Sequence, residues 1–403
     1  MSDPTFGISI TRVDSEPRPP VWSDMSVVGI IGTAPDADAA AYPLDTPVFL
    51  YSDDVAKLTA LGARGTLRDA IALVNAQLGA FQAAAKVVLV RVDEGLDTSA
   101  TIANIVGDTV STGLSAFLNA GSSLGVIPRL LCAPGFTSQR EPELANPVCA
   151  ALPSICERLL AHAVVDGPAT SEQDAIDWRE TISSQRLIPV DPAIQVFVDG
   201  NPVVQPLSPA IIGVGVRRDH EKQGRPFHSW ANQPVQGIIG PSRPINFSLT
   251  DGATEAQRLL SSNIGVLLRG EMGVESAIGQ GGFIFVGTDN AGEDDLWRFY
   301  NVTRGRDFIH LMLLRTLRFY LALLSWPLQH HGPDHPGDPE HDGYRPAQSQ
   351  GRWRFAGLPD QVHPRPEHAR RTAPGPLHSH VCCRRSAGAA LPGRSIRALP
   401  SCA

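Results

Sequence analysis

The chain has 403 residues, of which 42% are hydrophobic and 19% are charged, and these fractions exclude an intrinsically disordered or a fibrous protein. Its 34 lysine and arginine residues against 41 acidic residues give a formal charge of −7, which argues against nucleic acid as a main partner. The length is sufficient for two or three domains of ordinary size.

The composition changes sharply near residue 326. Residues 327–403 contain 12 of the 34 prolines, 8 of the 12 histidines and no lysine. Ten arginines against six acidic residues give this stretch a balance of +4, which leaves −11 for residues 1–326. We therefore predict an acidic globular body, residues 1–326, followed by a tail of a different character, residues 327–403.

Residues 6–13 have the period of a β-strand, because Phe6, Ile8 and Ile10 occupy every second position. The proline-rich link at 16–20 can be neither a helix nor a central strand. A strand cut off from its domain has unpaired backbone groups on both edges and seeks the edge of a sheet, in its own molecule or in a neighbour. The period alone leaves a frayed terminus as an equal alternative.

The body beyond residue 21 alternates short apolar runs with amphipathic helices. The runs lie at 27–31, 48–51, 87–92, 129–132 and 163–165. Between the second and third runs we predict a helix with Thr66 as its N-cap and one apolar face, formed by Leu67, Ala70, Ile71, Val74 and Leu78. This alternation predicts the α/β class, with a mainly parallel sheet flanked by helices.

The later part of the body has a different pattern. Residues 183–250 contain more turn signals and β-like runs, and they predict an inserted or second α+β unit that begins near 183–225. A further strand is predicted at 283–286 and a long helix at about 306–325.

The longest apolar stretch, residues 308–326, is interrupted by His310, Arg315 and Arg318. Three ionisable groups within one span are costly in lipid, so we predict a buried amphipathic helix and no direct insertion into a membrane. The chain begins without the basic and apolar regions of a secretory signal. The body cysteines are odd in number and lie in apolar surroundings, which predicts reduced core thiols in a cytoplasmic product (Cys132, Cys149 and Cys156).

One sequence motif resembles the nucleophile elbow of α/β hydrolases. Gly121, Ser123 and Gly125 satisfy the G-x-S-x-G pattern, which requires a strand before the serine and a helix after it. Here the predicted order is reversed, with a helix at 114–120 and a strand at 126–132. We therefore predict no catalysis by Ser123, and an α/β hydrolase remains only as an alternative. No phosphate-binding loop occurs, and no cofactor is predicted.

A second alternative is a metal site in the tail, where four potential zinc or copper ligands lie within six residues: His378, His380, Cys382 and Cys383. The surrounding composition argues against it, because residues 327–403 show no helical or strand period and their prolines would prevent a core. Arginine without lysine is typical of GC-rich codons translated out of frame. Our hypothesis is a frameshift near residues 323–332 and a disordered tail.

Without a catalytic constellation, the residues favour a structural protein, and a series of short motifs resembles the contractile phage tail sheath proteins. GISITRV at 7–13, VGIIGTAP at 28–35 and VVLVRV at 87–92 are similar to the opening of that family. Further similar motifs follow in order: LCAPG at 131–135, VDGP at 165–168, NQPVQGIIGPSRP at 232–244, NIGVLLRG at 263–270, GFIFVG at 282–287 and LWRFYNVTRGRD at 296–307. Each is weak alone, but their number and order are specific.

The resemblance implies a subunit of the sheath around the tail tube of a myovirus-like phage or a tailocin. Such subunits polymerise around the tube and contract to drive it through a cell envelope, without a cofactor or enzymatic activity. The implied partners are neighbouring sheath subunits, the tail tube protein, and baseplate and tail terminator proteins. The implied location is the virion tail, after assembly in the cytoplasm of the bacterial host.

The resemblance also implies a domain plan. Residues 1–20 correspond to an extended N-terminal arm, 21–225 to the α/β body, and 226–326 to the start of the sheath C-terminal-type domain. In the family the arm adds a strand to the sheet of a neighbouring subunit, and the matching residues here are Phe6, Gly7, Ile8, Ser9, Ile10, Thr11, Arg12 and Val13. The family continues beyond residue 322 with a helix, a short sheet and a C-terminal arm. The tail replaces them, so we expect a truncated domain and a copy that fails to contract.

Overall fold

A six-stranded sheet forms the centre of the protein in the computed structural model, which describes residues 22–79, 84–141, 144–198, 200–272 and 281–324. Its strands lie in the order β2-β3-β1-β4-β5-β6. They are β1 (Val28–Thr33), β2 (Pro47–Tyr51), β3 (Lys86–Val92), β4 (Leu130–Cys132), β5 (His162–Asp166) and β6 (Leu187–Val190).

The sheet is parallel except for its edge strand β2, which pairs antiparallel with β3. Every residue of β1 is buried, and its Ile30 lies opposite Leu89 on one side and Cys132 on the other. Continuous apolar strands of this kind require cover on both faces. The prediction of a mainly parallel sheet flanked by helices is therefore confirmed, and each of the five predicted runs contains or overlaps a strand.

Helices pack on both faces of the sheet. On one face, α2 (Leu67–Ala76) and α7 (Ser208–Glu221) contribute buried aliphatic side chains to a shared core. On the other, α3 (Thr98–Val106), the 3-10 helix Gly113–Asn119 and α5 (Pro147–Leu159) form a second core. The remaining helices are α1 (Val55–Ala60), α4 (Ala120–Leu124), α6 (Glu172–Glu180), α8 (Glu255–Ser261) and α9 (Tyr300–Leu324).

Thr66 stands at the N-cap position of α2, as predicted, but its side chain does not cap the helix. Its hydroxyl instead accepts a hydrogen bond from the backbone N–H of Thr33, at 3.3 Å. The polar side chain therefore joins the end of β1 to the start of α2, a tertiary contact that a local capping rule cannot anticipate.

Two smaller sheets complete the described chain. The first contains β7 (Ile194–Val198), β8 (Asn201–Gln205) and β10 (Gly240–Pro241), and the second contains β9 (Gln233–Val235), β11 (Val266–Arg269) and β12 (Phe283–Val286). The predicted strand at 283–286 coincides with β12. Within 183–225, β6 belongs to the main sheet and α7 contributes to the core of that sheet, whereas β7 and β8 belong to a smaller one. The inserted α+β unit stays a prediction.

The last described helix, α9, begins at Tyr300, whereas the sequence predicted a start at about 306. Its first turns are the most buried, because Tyr300, Thr303 and Arg304 are fully enclosed. None of the described helices is both long enough and apolar enough to cross a membrane. The truncation of the C-terminal-type domain and the domain boundaries stay predictions, and the arm and the tail lie outside the described residues.

Candidate assembly interface

The predicted strand-addition residues, 6–13, lie outside the described residues, and the structure shows instead where the chain leaves the body. The first described residue, Trp22, stacks on Phe308 of α9 with ring centroids 5.5 Å apart and an interplanar angle of 11°. Arg315 of the same helix donates a hydrogen bond from Nη1 to the Trp22 carbonyl, at 3.1 Å. Trp22, where the described chain begins, therefore lies against α9.

The residues after Trp22 are held more firmly. Met25 is fully buried in a small cluster with Phe308 and Leu311. The carboxylate of Asp24 pairs with Lys86 at 2.9 Å, at the start of β3. This short stretch fixes the path of the chain before β1 begins.

A buried ion pair lies beneath this stretch. Arg304 of α9 donates from Nη1 to Oδ1 of Asp219 in α7, at 3.1 Å, and a second contact joins Nη2 to Oδ2. Nη2 also donates to the Met25 carbonyl, at 3.3 Å, and the guanidinium lies 5.0 Å from the ring centroid of Trp230. Burial raises the pKa of Asp219, and the charge of Arg304 opposes that rise. The side chain of Arg304 thus connects α9, α7 and the stretch from Trp22 to Met25 that precedes β1.

A second buried polar cluster joins α9 to β5 and β6. Arg186 bonds to Glu157 at 2.7 Å and to Asp307. His162 Nε2 lies 3.0 Å from the Thr303 hydroxyl, which itself donates to the Tyr300 carbonyl. Burial, and then the charge of nearby arginines, lowers the pKa of His162 well below its usual value. The imidazole is therefore neutral, and it donates from Nε2 to Thr303 because that hydroxyl proton is already used.

Acidic groups at the carboxyl end of the sheet are also buried. Asp166, the last residue of β5, accepts hydrogen bonds from the Ser208 backbone N–H and hydroxyl, both at 2.6 Å. Burial raises the pKa of Asp166 to about 6, against the lowering effect of these bonds. The carboxylate thus accepts from a backbone N–H in the first turn of α7 that has no partner within the helix. A structural acid therefore occupies the carboxyl end of the sheet, where α/β enzymes commonly bind a ligand.

Parallel sheets commonly bind ligands where the strand order reverses, which here is at the carboxyl ends of β1 and β4. That crevice holds a cavity of about 180 Å³ between the start of α2 and residues 203–206. Gln205 of β8 reaches into it and donates to Asp69 Oδ2, at 2.9 Å. The crevice is thus narrowed by the protein's own side chains and lined by an acid that would repel a phosphate.

The structure does not place Ser123 in a nucleophile elbow. Ser123 lies in α4, its hydroxyl donates to the Asn119 carbonyl at 2.9 Å, and Gly125 ends the helix with φ of 68°. A 3-10 helix precedes it in place of the required strand. The hydrolase alternative therefore has no support. Of the strand predicted at 126–132, only the last three residues form a strand, β4.

The three body cysteines are free and buried, as predicted. Burial raises the pKa of Cys156 to about 12, so this thiol stays protonated and inert. Among the residues that the structure describes, there is no group of three or more potential metal ligands. The histidine and cysteine cluster of the tail lies outside them.

The sequence alone left open whether the arginines of the last motifs pair within the chain or between subunits. Besides Arg304, two of them have internal partners. Arg243 bonds to Asp191 at 2.8 Å and also to Glu255. Arg306 donates to Gln185 at 3.3 Å and lies over the ring of Trp297. Arg269, at the end of β11, is exposed.

Comparison with known proteins gives sequence relatives of one kind, although no family model matches the chain. The putative prophage major tail sheath protein of Pseudomonas aeruginosa (strain UCBPP-PA14) is 27% identical over 304 residues, which are 75% of this chain and 74% of that one. The tail sheath protein of Escherichia phage P2 is 27% identical over 317 residues, with the same coverage. The major tail sheath protein of Serratia phage KSP20 is 26% identical over 255 residues, or 61% of each chain.

Solved structures share the fold at lower identity. The anti-feeding prophage helical sheath in its contracted state has a TM-score of 0.52 at 17% identity, over 84% of this chain and 87% of that one. The sheath complex of the extracellular contractile injection system PVC, also contracted, has a TM-score of 0.51 at 16% identity, over 80% and 76%. The order of the motifs, the fold and the named relatives agree: the chain is similar in sequence to tail sheath proteins, and it shares its fold with the sheaths of contractile injection systems.

Proposed function

We propose that this chain is a structural subunit of a contractile tail sheath, which polymerises around a tail tube and contracts to drive the tube through a cell envelope. The observation that supports this most directly is the match to named tail sheath proteins over about three quarters of both chains. The fold of the described residues, which resembles sheaths of contractile injection systems, agrees with it.

The protein acts without catalysis in this proposal. The switch-point crevice is narrowed by Gln205, and the hydroxyl of Ser123 is engaged by a backbone carbonyl rather than by a general base. The buried charged groups pair with each other, Arg304 with Asp219 and Arg186 with Asp307. Their geometry suits a rigid body that transmits force, because several buried side chains tie α9 to the sheet and to α7.

The N-terminal residues 6–13 add a strand to a sheet of a neighbouring subunit in this proposal. The contacts of Trp22 with Phe308 and Arg315 support this role, because an arm that links two subunits must be anchored to its own subunit where it begins. The alternation of Phe6, Ile8 and Ile10 gives the arm one apolar face for the receiving sheet.

The partners and location follow from the same role. We expect contacts with other copies of this chain, with a tail tube protein, and with baseplate and tail terminator proteins, in a virion tail assembled in a bacterial cytoplasm. One similar structure, with a TM-score of 0.51, is the anti-feeding prophage baseplate. Neither nucleic acid nor a membrane is expected to bind the acidic body.

Residues 327–403 decide whether this copy performs the role. A proline-rich, basic stretch cannot supply a second arm with strand period, so we expect the body to fold and the sheath not to contract. The test is negative-stain electron microscopy of two purified proteins, this chain and a version whose residues from 325 onward are encoded in the neighbouring open frame.

Regular tubes from the frame-restored protein, which shorten without nucleotide, are the expected result. Dispersed particles from a frame-restored protein that is folded would contradict the sheath function. Tubes that shorten from the chain as it stands would contradict the proposed defect of its tail.

A further inference from the structure

The imidazole of His162 lies where helix α9 packs on the central sheet, and it is fully enclosed by the protein. His162 is the first residue of β5, and its Nε2 donates to the Thr303 hydroxyl of α9, at 3.0 Å. Its Nδ1 is buried and has no hydrogen-bond partner within the described chain. One ring nitrogen thus holds α9 to the sheet, and the other could take a proton only by placing a charge in the interior.

The carboxylate of Asp307 faces this second nitrogen, since Asp307 follows Thr303 by four residues and lies on the same side of α9. Its Oδ2 lies 3.9 Å from Nδ1, too far for a hydrogen bond, and already bonds to Arg186. Its Oδ1 is buried and accepts no hydrogen bond from any described residue. A proton on Nδ1 would therefore make His162 compete with Arg186 for one buried carboxylate.

Charged groups surround the imidazole, and the positive ones predominate. Those on the described elements are Arg129 before β4, Glu157 of α5, Arg186 before β6, Asp219 of α7, and Arg304, Arg306 and Asp307 of α9. Burial, and then the charges of Arg186, Arg304 and Arg306, keeps the pKa of His162 well below 6.5. The Cys156 thiol of α5 stays protonated and adds no charge, and His310, further along α9, is exposed.

Opening of the first turns of α9 would remove this obstacle to protonation, because it exposes the ring to water. An exposed imidazole has a pKa of about 6.5, so below that pH the open state binds a proton that the closed state does not. The equilibrium constant for opening is therefore nearly constant above about pH 7 and rises about tenfold for each pH unit below about 6.5.

The buried and paired acids nearby do not share this response. Arg186 lowers the pKa of Glu157 below its ordinary value of 4.5, so this carboxylate stays ionised at pH 5.5 and above. Asp166, at the other end of β5, bonds to Ser208 of α7 and not to α9, so its titration is not coupled to the opening of α9.

We propose that His162 is an acid-sensitive latch: as a neutral ring it holds the first turns of α9 on β5 through Thr303, and as a cation in mildly acidic solution it releases them. Phe308 of the same helix stacks on Trp22 and packs against Met25, so the segment that precedes β1 loosens together with the helix. The latch is a property of the folded body and does not depend on the sheath function.

Hydrogen exchange of backbone amides, followed by mass spectrometry of the full-length chain, measures the opening. The observable is the protection factor, the exchange rate of an unstructured peptide at the same pH divided by the observed rate. For peptides within 300–311 we expect a protection factor about tenfold lower at pH 5.5 than at pH 7.5. Peptides that cover β1 are the internal reference and should not show this loss, because their exchange requires unfolding of the sheet.

A neutral substitution assigns the response to the imidazole. In His162→Gln the side-chain amide can still donate to Thr303 but cannot take a proton, so the protection of residues 300–311 should be the same at both pH values. His228→Gln removes a histidine that is exposed on the body, and this matched control should keep the tenfold loss.

A second measurement needs no variant. The carbon-bound ring protons of His162, observed by NMR in the unaltered chain with labelled histidine, should keep the shifts of a neutral imidazole at pH 5.5, because the open state remains a minor population. An imidazole that titrates near pH 6.5 while α9 keeps its protection would overturn the inference, whether or not His162→Gln folds.

Three exchange results would also overturn it. One is equal protection of residues 300–311 at pH 7.5 and pH 5.5 in the unaltered chain. Another is an equal loss in α9 and β1, which would mean that acid unfolds the whole sheet and not the helix alone. The third is a tenfold loss that persists in folded His162→Gln, which would assign the response to a different group.

Discussion

Arg304 and Asp219 form an ion pair in which both side chains are only 1% exposed, and it joins the last described helix, α9, to α7 on the central sheet. The same guanidinium donates to the Met25 carbonyl, so the position of the chain just before β1 depends on the pair as well. The position of α9 is thus set by a charge that the sequence does not mark as buried.

Removing one partner of this pair tests its structural role. Asp219→Ala leaves the Arg304 charge buried without a counter-charge, and the free energy of unfolding is expected to fall by about 3–5 kcal/mol. Urea denaturation followed by circular dichroism measures the loss. Asp24→Ala removes the exposed pair with Lys86 and serves as the control, with a loss of about 0–1 kcal/mol. Equal losses in the two variants would show that Arg304 finds another partner or reaches water.

The pH dependence of stability tests the burial of Asp166. Its pKa in the folded protein is about 6, above the 3.8 of an unperturbed aspartate, so the folded state binds more protons between these values. The contribution is full below about pH 4 and is lost as pH rises through about 6, by about 1.4 kcal/mol per pKa unit and so about 3 kcal/mol in total.

In Asp166→Asn the amide oxygen still accepts from Ser208, but the side chain no longer titrates, and this part of the pH dependence disappears. Thermal unfolding between pH 4 and pH 8 measures it. The Asp53→Asn variant, which removes an exposed carboxylate, is the control for the substitution itself. A profile of Asp166→Asn that matches the unaltered chain would mean that Asp166 titrates like an exposed acid.

Much of this architecture can be predicted from the sequence, and the exceptions have physical causes. Continuous apolar runs located the strands, because strands buried on both faces cannot be polar at any position. The direction of β2 could not be predicted, since it depends on which neighbour the edge strand meets. The start of α9 was placed too late because Thr303 and Arg304 look like solvent-facing residues until their partners, His162 and Asp219, are known.

The sequence motifs indicated the resemblance to sheath proteins, but they did not predict which residues contact each other in the candidate interface. The motif at 296–307 contains Tyr300 and Arg304, yet their partners Trp230 and Asp219 lie about 70 residues or more earlier in the chain. Pairing over such separations leaves no local pattern. The aromatic and charged residues within an otherwise apolar helix were the only available signal.

Close packing between α7 and α2 gives a further prediction. A Cβ added to Gly213 would lie 2.8 Å from the backbone carbonyl oxygen of Val74, which cannot move without shifting α2. Alanine is intrinsically better than glycine in a helix by about 1 kcal/mol, so a destabilised Gly213→Ala protein would reveal the contact directly. We expect a net loss of about 1–3 kcal/mol in urea denaturation. Gly252→Ala, with open space around it, is the control; a stabilised Gly213→Ala protein would refute the contact.

The origin of the tail is a prediction about the gene. If residues 327–403 arise from a frameshift near 323–332, the DNA contains a neighbouring open frame that continues the periodic pattern of the body. Sequencing through codon 325, with translation of all three frames, measures this directly. Two closed neighbouring frames would end the frameshift hypothesis. In that case the sheath function of the body would still stand on its homologues.

The central claim is that residues 22–324 form the repeating unit of a tail sheath. Immunogold electron microscopy tests it most directly, with an antibody against the folded body and tail particles from bacteria that express the frame-restored gene. The expected result is regular labelling along the outer wall of the tails, with none on tails from cells that lack the gene. Unlabelled tails beside abundant, folded and dispersed protein in the same lysate would contradict the sheath assignment.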